Sequence, residues 1–224
     1  MATHFFGLTS RTYKYSHAVG RAEFAGTGFR NPTDMAIAAD GTVYICNRSY
    51  ENRPDGVHIT VITMDEDYVT EFGAYGESDG EFMWPTSVAL DSKGNVYIAE
   101  REGNGVRKVD ANGVMSIFSG TGEFGYSGDG GPALTALWGA PKALRCDHRD
   151  DLIVVDTENN AVRFIDVKTA IVTTIAGGHQ GGDGDGGPAT DAGLERPHGC
   201  GIDRQGNLFI ADGINHRVRV VGMR

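Results

Sequence analysis

Two basic side chains and three acids recur at a single interval in this chain of 224 residues. Lys142 and His198 stand 56 positions apart (198−142), and so do Glu100, Asp156 and Asp212 (156−100 and 212−156). Lys142 and His198 each follow a proline, and each acid closes a short apolar run (Val96–Ala99, Leu152–Val155, Leu208–Ala211). Thr33 and Asp34, and Thr86 and Ser87, follow prolines in the same way. Brought to one place, these groups offer an imidazole, an ammonium, three carboxylates and several hydroxyls. A mixed set of His198 with Glu100, Asp156 and Asp212 could hold Zn²⁺, and oxygen donors alone would suit Ca²⁺. Three acids beside His198 would favour its protonated form in the absence of a metal. A second reading makes each acid structural, capping the following turn or pairing with Arg107, Arg163 or Arg219 further along its own repeat.

The interval belongs to a repeat that must position these groups. Pro-Thr-Asp-Met-Ala-Ile-Ala-Ala-Asp-Gly begins at Pro32, and related stretches begin at Pro85, Pro141 and Pro197, spaced 53, 56 and 56 residues apart (85−32, 141−85, 197−141). Fixed self-similarity at such a period signals a solenoid, propeller or array. Each unit predicts four short strands. An apolar run after the proline leads to a turn at Asp40-Gly41, Lys93-Gly94, Asp150-Asp151 or Gln205-Gly206. A β-branched and aromatic run follows (Val43–Ile45, Val96–Ile98, Leu152–Val155, Leu208–Ile210), then a third strand, then a fourth at Tyr68–Phe72, Met115–Phe118 or Val172–Ala176. Such compositions suit a pleated, half-buried surface, and no window keeps a helical period. Four antiparallel strands per unit make a propeller blade. The expected fold is therefore all-β: one propeller domain over residues 1–224, with blades of about 32–84, 85–140, 141–196, and 197–224 together with 1–31. The last unit has three strands before the chain stops. The stretch Arg11–Val19 is expected to supply its fourth and close the ring, which also protects sheet edges.

Three motifs carry a family resemblance: Gly-Asn-Val/Leu-Tyr/Phe-Ile-Ala-Asp/Glu, Asn-His-Arg-Val-Arg-Val (Asn215–Val220), and the linker Gly125–Ala133, echoed at Gly182–Ala189. On these the chain resembles the NHL-repeat β-propellers over nearly its whole length. Relatives of that kind mostly have six blades. The resemblance implies a central channel whose mouth lies on the face where the prolines and the acids fall, and implies ligand binding there. His198 resembles in position the histidines of amidating-lyase relatives, which hold a metal with several such residues. The corresponding positions here are Thr33, Thr86 and Lys142, so a three-His zinc site is not implied. The resemblance implies a ligand-binding or protein-interaction scaffold, with a metal-assisted lyase or hydrolase as the alternative.

Composition narrows the partners. The formal net charge is −10, which disfavours nucleic acid, because that affinity rests on a basic face. A protein or small-molecule ligand fits better. The expectation is a monomer if four blades close and a homo-oligomer otherwise. The three cysteines, Cys46, Cys146 and Cys200, have no metal-ligand spacing and sit in apolar runs, as small buried hydrophobes of a reducing compartment do. The first residues lack a basic segment leading into an apolar one, and no run approaches membrane-spanning length, so a cytoplasmic location away from membranes is expected. Asp183-Gly-Asp185-Gly-Gly lacks the ligand pattern of a calcium loop and reads as a linker copied with the repeat. Trp84 and Trp138 read as packing between blades.

Overall fold

A computed structural model of the protein describes residues 28–65 and 67–222. It is an all-β propeller of four antiparallel blades with almost no helix. Blade 1 comprises β1 (Pro32–Ile37), β2 (Val43–Asn47), β3 (His58–Ile62) and β4 (Tyr68–Phe72). Blade 2 comprises β5 (Pro85–Leu90), β6 (Val96–Glu100), β7 (Gly105–Val109) and β8 (Met115–Ser119). Blade 3 comprises β9 (Ala143–Cys146), β10 (Leu152–Asp156), β11 (Ala161–Asp166) and β12 (Ile171–Gly177). Blade 4 comprises β13 (Pro197–Ile202), β14 (Leu208–Asp212) and β15 (Arg217–Val221). Within each sheet the strands follow chain order, and the inner strands β1, β5, β9 and β13 pack side by side in that order. Among the described residues blade 4 has three strands. The expected closing strand at Arg11–Val19 lies outside the described residues. Beside β15, where the other blades carry their fourth strand, is a cavity of about 580 Å³ lined by Asp185, Ile210, Arg219 and Val221, among others.

Backbone chemistry explains the regularity. The turn between the first two strands of each blade needs one residue in the left-handed region, which glycine adopts freely. Gly41, Gly94 and Gly206 supply it with φ between +80° and +89°. In blade 3 Asp150 takes the same place at φ 69°, and its carboxylate accepts bonds from the Ser92 amide (2.8 Å) and hydroxyl (2.6 Å) of blade 2. Those bonds hold the Asp150 carboxyl below the usual carboxylate range. A second left-handed position recurs just before each strand proline, at Asn31, Trp84, Ala140 and Arg196 (φ 44–52°). Each costs about 1–2 kcal/mol for a non-glycine residue, so the surrounding bonds must fix the bend. Two of those bonds are side-chain caps from the preceding blade: Asn104 Oδ1 accepts the Ala140 amide (3.1 Å), and Asn160 Oδ1 accepts the Arg196 amide (2.9 Å).

The core lies between blades. Each blade has a leading face, toward the preceding blade, and a trailing face, toward the next. Cys46 and Ile59 on the trailing face of blade 1 pack against Val88, Val96, Ile98 and Val109 on the leading face of blade 2. Tyr97, Ala99 and Val106 meet Leu144, Leu152, Val154 and Ile165 at the next junction. Ile153, Val155 and Val162 meet Leu208 and Ile210 at the third. Trp138 is fully buried in the second junction and Trp84 nearly so in the first, as packing residues should be.

Candidate functional site

The three acids end their second strands as the repeat requires, and all are buried. Each reaches back to the backbone amide two residues before its blade's proline. Met83 donates to Glu100 Oε1 (2.7 Å), Gly139 to Asp156 Oδ1 (2.7 Å) and Glu195 to Asp212 Oδ1 (2.8 Å). Each also faces the arginine of its own third strand: Arg107 at 2.9 Å, Arg163 at 3.6 Å and Arg219 at 3.9 Å. Asn159 and Asn215 donate to the second oxygens of Asp156 and Asp212, both at 2.9 Å. Loss of hydration pushes the Glu100 carboxyl up, and pushes that of Asp156 up to about 6 against the lowering effect of its donors. The linkers supply the arginines' other partners. Asp129 bonds Arg163 and Asp185 bonds Arg219, at 2.8 and 2.5 Å. The Gly-Asp-Gly-Gly segments therefore act as latches onto the following blade.

The hydroxyls and Asp34 are likewise engaged between blades. Thr86 donates to the Pro141 carbonyl (3.0 Å) as well as to Ala99. The Ser87 hydroxyl donates to Asp34 and accepts the Leu144 amide (3.0 Å). Asp34 also takes Arg145 at 2.9 Å and the Val88 amide at 3.2 Å. Thr33 makes long contacts to the Cys46 carbonyl (3.4 Å) and to the Cys46 sulfur (3.5 Å). This Asp34–Ser87–Arg145 chain ties three inner strands together. Sequence reasoning overlooked Arg145, whose equivalents are Ala36 and Ala89.

Lys142 and His198 are what the structure does bring together. Lys142 Nζ lies 2.8 Å from His198 Nε2, and 3.7 Å from Glu158 Oε1. Glu158 also pairs with Arg196 at 2.5 Å. The His198 ring rests against Gly213, where an added Cβ would come 3.1 Å from Nδ1. The lysine ammonium has no acceptor capacity, so it donates and His198 Nε2 accepts, which leaves the imidazole neutral with its proton on Nδ1. Loss of hydration comes first in pulling the His198 pKa down, followed by the charges of Lys142 and Arg196. The expected protonated histidine is thus corrected: the acids that would have charged it are turned into the blades, and Lys142 and Arg196 act on it more strongly than Glu158, which opposes them. Lys142 is lowered too, by loss of hydration first, with Arg196 and Arg101 adding to the effect and Glu158 opposing it. Arg196 was missed in the sequence because its position carries no repeated residue type. Arg101, which repeats Arg48 at the 53-residue interval (101−48), and Glu158, which repeats Glu102 at the 56-residue interval (158−102), were passed over because they lie beyond the strand ends.

The expected metal set of His198, Glu100, Asp156 and Asp212 is not assembled. Among the described residues no group of three His, Cys, Asp or Glu side chains is placed to hold a metal ion. The cysteines are free, and burial pushes the Cys46 thiol up to about 12. No helix among the described residues is long and apolar enough to cross a membrane.

No family model matches the chain. It is 27% identical over 161 residues to NHL repeat-containing protein 2 of Bos taurus, an alignment covering 67% of this chain and 22% of that protein. The chain thus spans less than a quarter of that relative's length. An auxiliary nutrient binding protein from Bacteroides thetaiotaomicron superposes with a TM-score of 0.65 at 20% identity, over 84% of this chain and 47% of its own. Virginiamycin B lyase from Staphylococcus aureus superposes with a TM-score of 0.52 at 15% identity, over 86% and 56%. At such identities the structural likenesses speak to the fold.

Proposed function

Because the chain is an NHL-type β-propeller, we propose that it is a binding module whose mouth face takes a carboxylate-bearing ligand at Lys142, His198 and Arg196. The observation that carries this reading is the Lys142–His198 pair at 2.8 Å, with its cationic surroundings. Lys142 feels the charges of Arg196 and Arg101, opposed by the acid Glu158, in a protein whose overall charge is −10. The nutrient-binding neighbour is consistent with a binding role for such a fold. A carboxylate entering here would accept from the lysine and from Nδ1–H or a protonated imidazole, and would return the histidine toward its charged form. It could belong to a small acid or to an acidic side chain of a partner protein.

The test is an NMR titration of the imidazole resonances with succinate, repeated with a capped peptide rich in Asp and Glu. Saturable shifts at His198 that vanish in Lys142→Ala and His198→Ala, with melting unchanged, are expected. Shifts that survive both substitutions would place binding elsewhere and end this reading.

A further inference from the structure

Arg48 and Arg101 occupy one register position in adjacent blades. Arg48 follows Asn47 and Arg101 follows Glu100, the residues that pair with Pro32 and Pro85 across their sheets. Blades 3 and 4 carry Thr157 and Gly213 at that place. Thr157 is buried and donates to the Pro197 carbonyl at 2.7 Å. The two arginines are half-buried, and among the described residues neither side chain has a hydrogen bond or an ion pair. Within the strands, Arg107, Arg145, Arg163 and Arg219 each reach an acid. A guanidinium drawn partly out of water without an acceptor is costly, so the two together form a prepared place for an anion.

Both line a cavity of about 390 Å³ at the junction of blades 1 and 2, within the size range of small-molecule sites. Glu51 and Glu102 line it as well, exposed, and neither carboxylate has a partner among the described residues. Trp84 supplies an aromatic wall. It is 7% exposed and packs on Tyr75 with ring centroids 5.0 Å apart. Its indole N–H has no acceptor among the described residues, although a buried indole usually finds one. Tyr50 adds a second, exposed ring to the lining. Lys142, His198 and Arg196 do not line this cavity.

We propose that the cavity binds a free α-amino acid with an apolar or aromatic side chain. Its carboxylate accepts from Arg48, Arg101 and the Trp84 indole N–H, since a guanidinium fork matches carboxylate geometry. Its ammonium donates to Glu51 or Glu102, and its side chain rests on Tyr50. The cavity's two cations and two acids are what select a zwitterion. A simple anion would leave the acids unmet and be repelled by them, and a simple cation would meet the same difficulty at the arginines.

The experiment is a proton NMR titration of the full chain with L-phenylalanine, following the indole N–H resonances of Trp84 and Trp138. Trp138 is fully buried away from the cavity and serves as the internal reference. A saturable shift at Trp84 and none at Trp138 is expected. N-acetyl-L-phenylalanine, which lacks the ammonium, and L-phenylalaninamide, which lacks the carboxylate, are expected to leave Trp84 unmoved over the same range. Arg48→Ala and Arg101→Ala should each weaken the phenylalanine response about tenfold or more. Neither side chain bonds another described residue, so melting should stay unchanged in both. A Trp84 resonance that phenylalanine never shifts overturns the proposal. So does an equal response to either blocked analogue, or a response that survives both arginine substitutions. These outcomes stand apart from the succinate titration at His198, whose ring does not line the cavity.

Discussion

Blades 1 and 3 solve one problem with different chemistry. In both, the backbone amide two residues before the strand proline points inward and needs an acceptor. Blade 3 provides Asp156, buried together with Arg163. Blade 1 provides Asn47, whose Oδ1 accepts the Arg30 amide at 2.9 Å and whose Nδ2 donates to Thr60 at 2.9 Å. Thr60 is the register equivalent of Arg163, since Ile45 pairs with Thr60 as Val154 pairs with Arg163. The amide's acceptor is the constant and the charge is not. An arginine stands opposite wherever the acceptor is ionised, because a buried carboxylate without a counter-charge is costly. Blade 1 also lacks the Gly-Asp-Gly-Gly latch that orients Arg163 and Arg219, so a neutral pair is self-consistent there.

Removing one partner should break this comparison most sharply. Asp156→Ala leaves Arg163, itself fully buried, without its internal acid and leaves the Gly139 amide unmet. A loss of about 3–5 kcal/mol in a urea melt is expected, the range for breaking a buried ion pair. Asn47→Asp places a carboxylate opposite Thr60 with no arginine, and a loss of about 1–3 kcal/mol is expected. Transplanting blade 1's pair into blade 3 sharpens the point. The double change Asp156→Asn with Arg163→Thr should cost less than the sum of its two single changes, by about 0.5–3 kcal/mol. Additive losses would show that the acid and the arginine act independently.

The smallest effect is one of pH. The Asp156 carboxyl sits at about 6 in the fold against an ordinary 3.8, chiefly through lost hydration. Between those values the folded protein holds a proton that the unfolded chain has released. The stabilisation from this group is therefore complete below 3.8 and is lost as pH rises through about 6. Melting temperatures followed across that window should fall with rising pH more in the wild type than in Asp156→Asn. Equal slopes would show that Asp156 is not the group responsible.

The sequence disclosed much of this through its period. Register alone made His198 and Lys142 equivalent, and set Glu100, Asp156 and Asp212 on matching strand ends. The resemblance to NHL propellers suggested a ligand face, and nothing in the motifs said which groups remain free on it. That depended on contacts made by main-chain atoms: the acids turn toward amides 17 residues earlier, and amides leave no trace in side-chain patterns. The left-handed residue before each proline was hidden for a related reason, since Asn31, Trp84, Ala140 and Arg196 share a conformation and no chemistry. Arg145 is a single occurrence in a repeated frame, and a search for recurrence passes over it. The linker aspartates Asp129 and Asp185 were visible as a copied motif, but their arginine partners lie 34 residues downstream across a blade boundary.

The proposed binding at Lys142 and His198 turns on which groups there are free, and the titration of the His198 ring reports this directly. If the acids are held within the blades and the neighbours of His198 are cations, its proton NMR titration has a midpoint below the ordinary value of about 6.5. In Lys142→Ala the midpoint then moves up, because a neighbouring positive charge has been removed. A midpoint above the ordinary value in the wild type, unmoved by Lys142→Ala, would mean that a ring of open acids surrounds the histidine and would contradict the account.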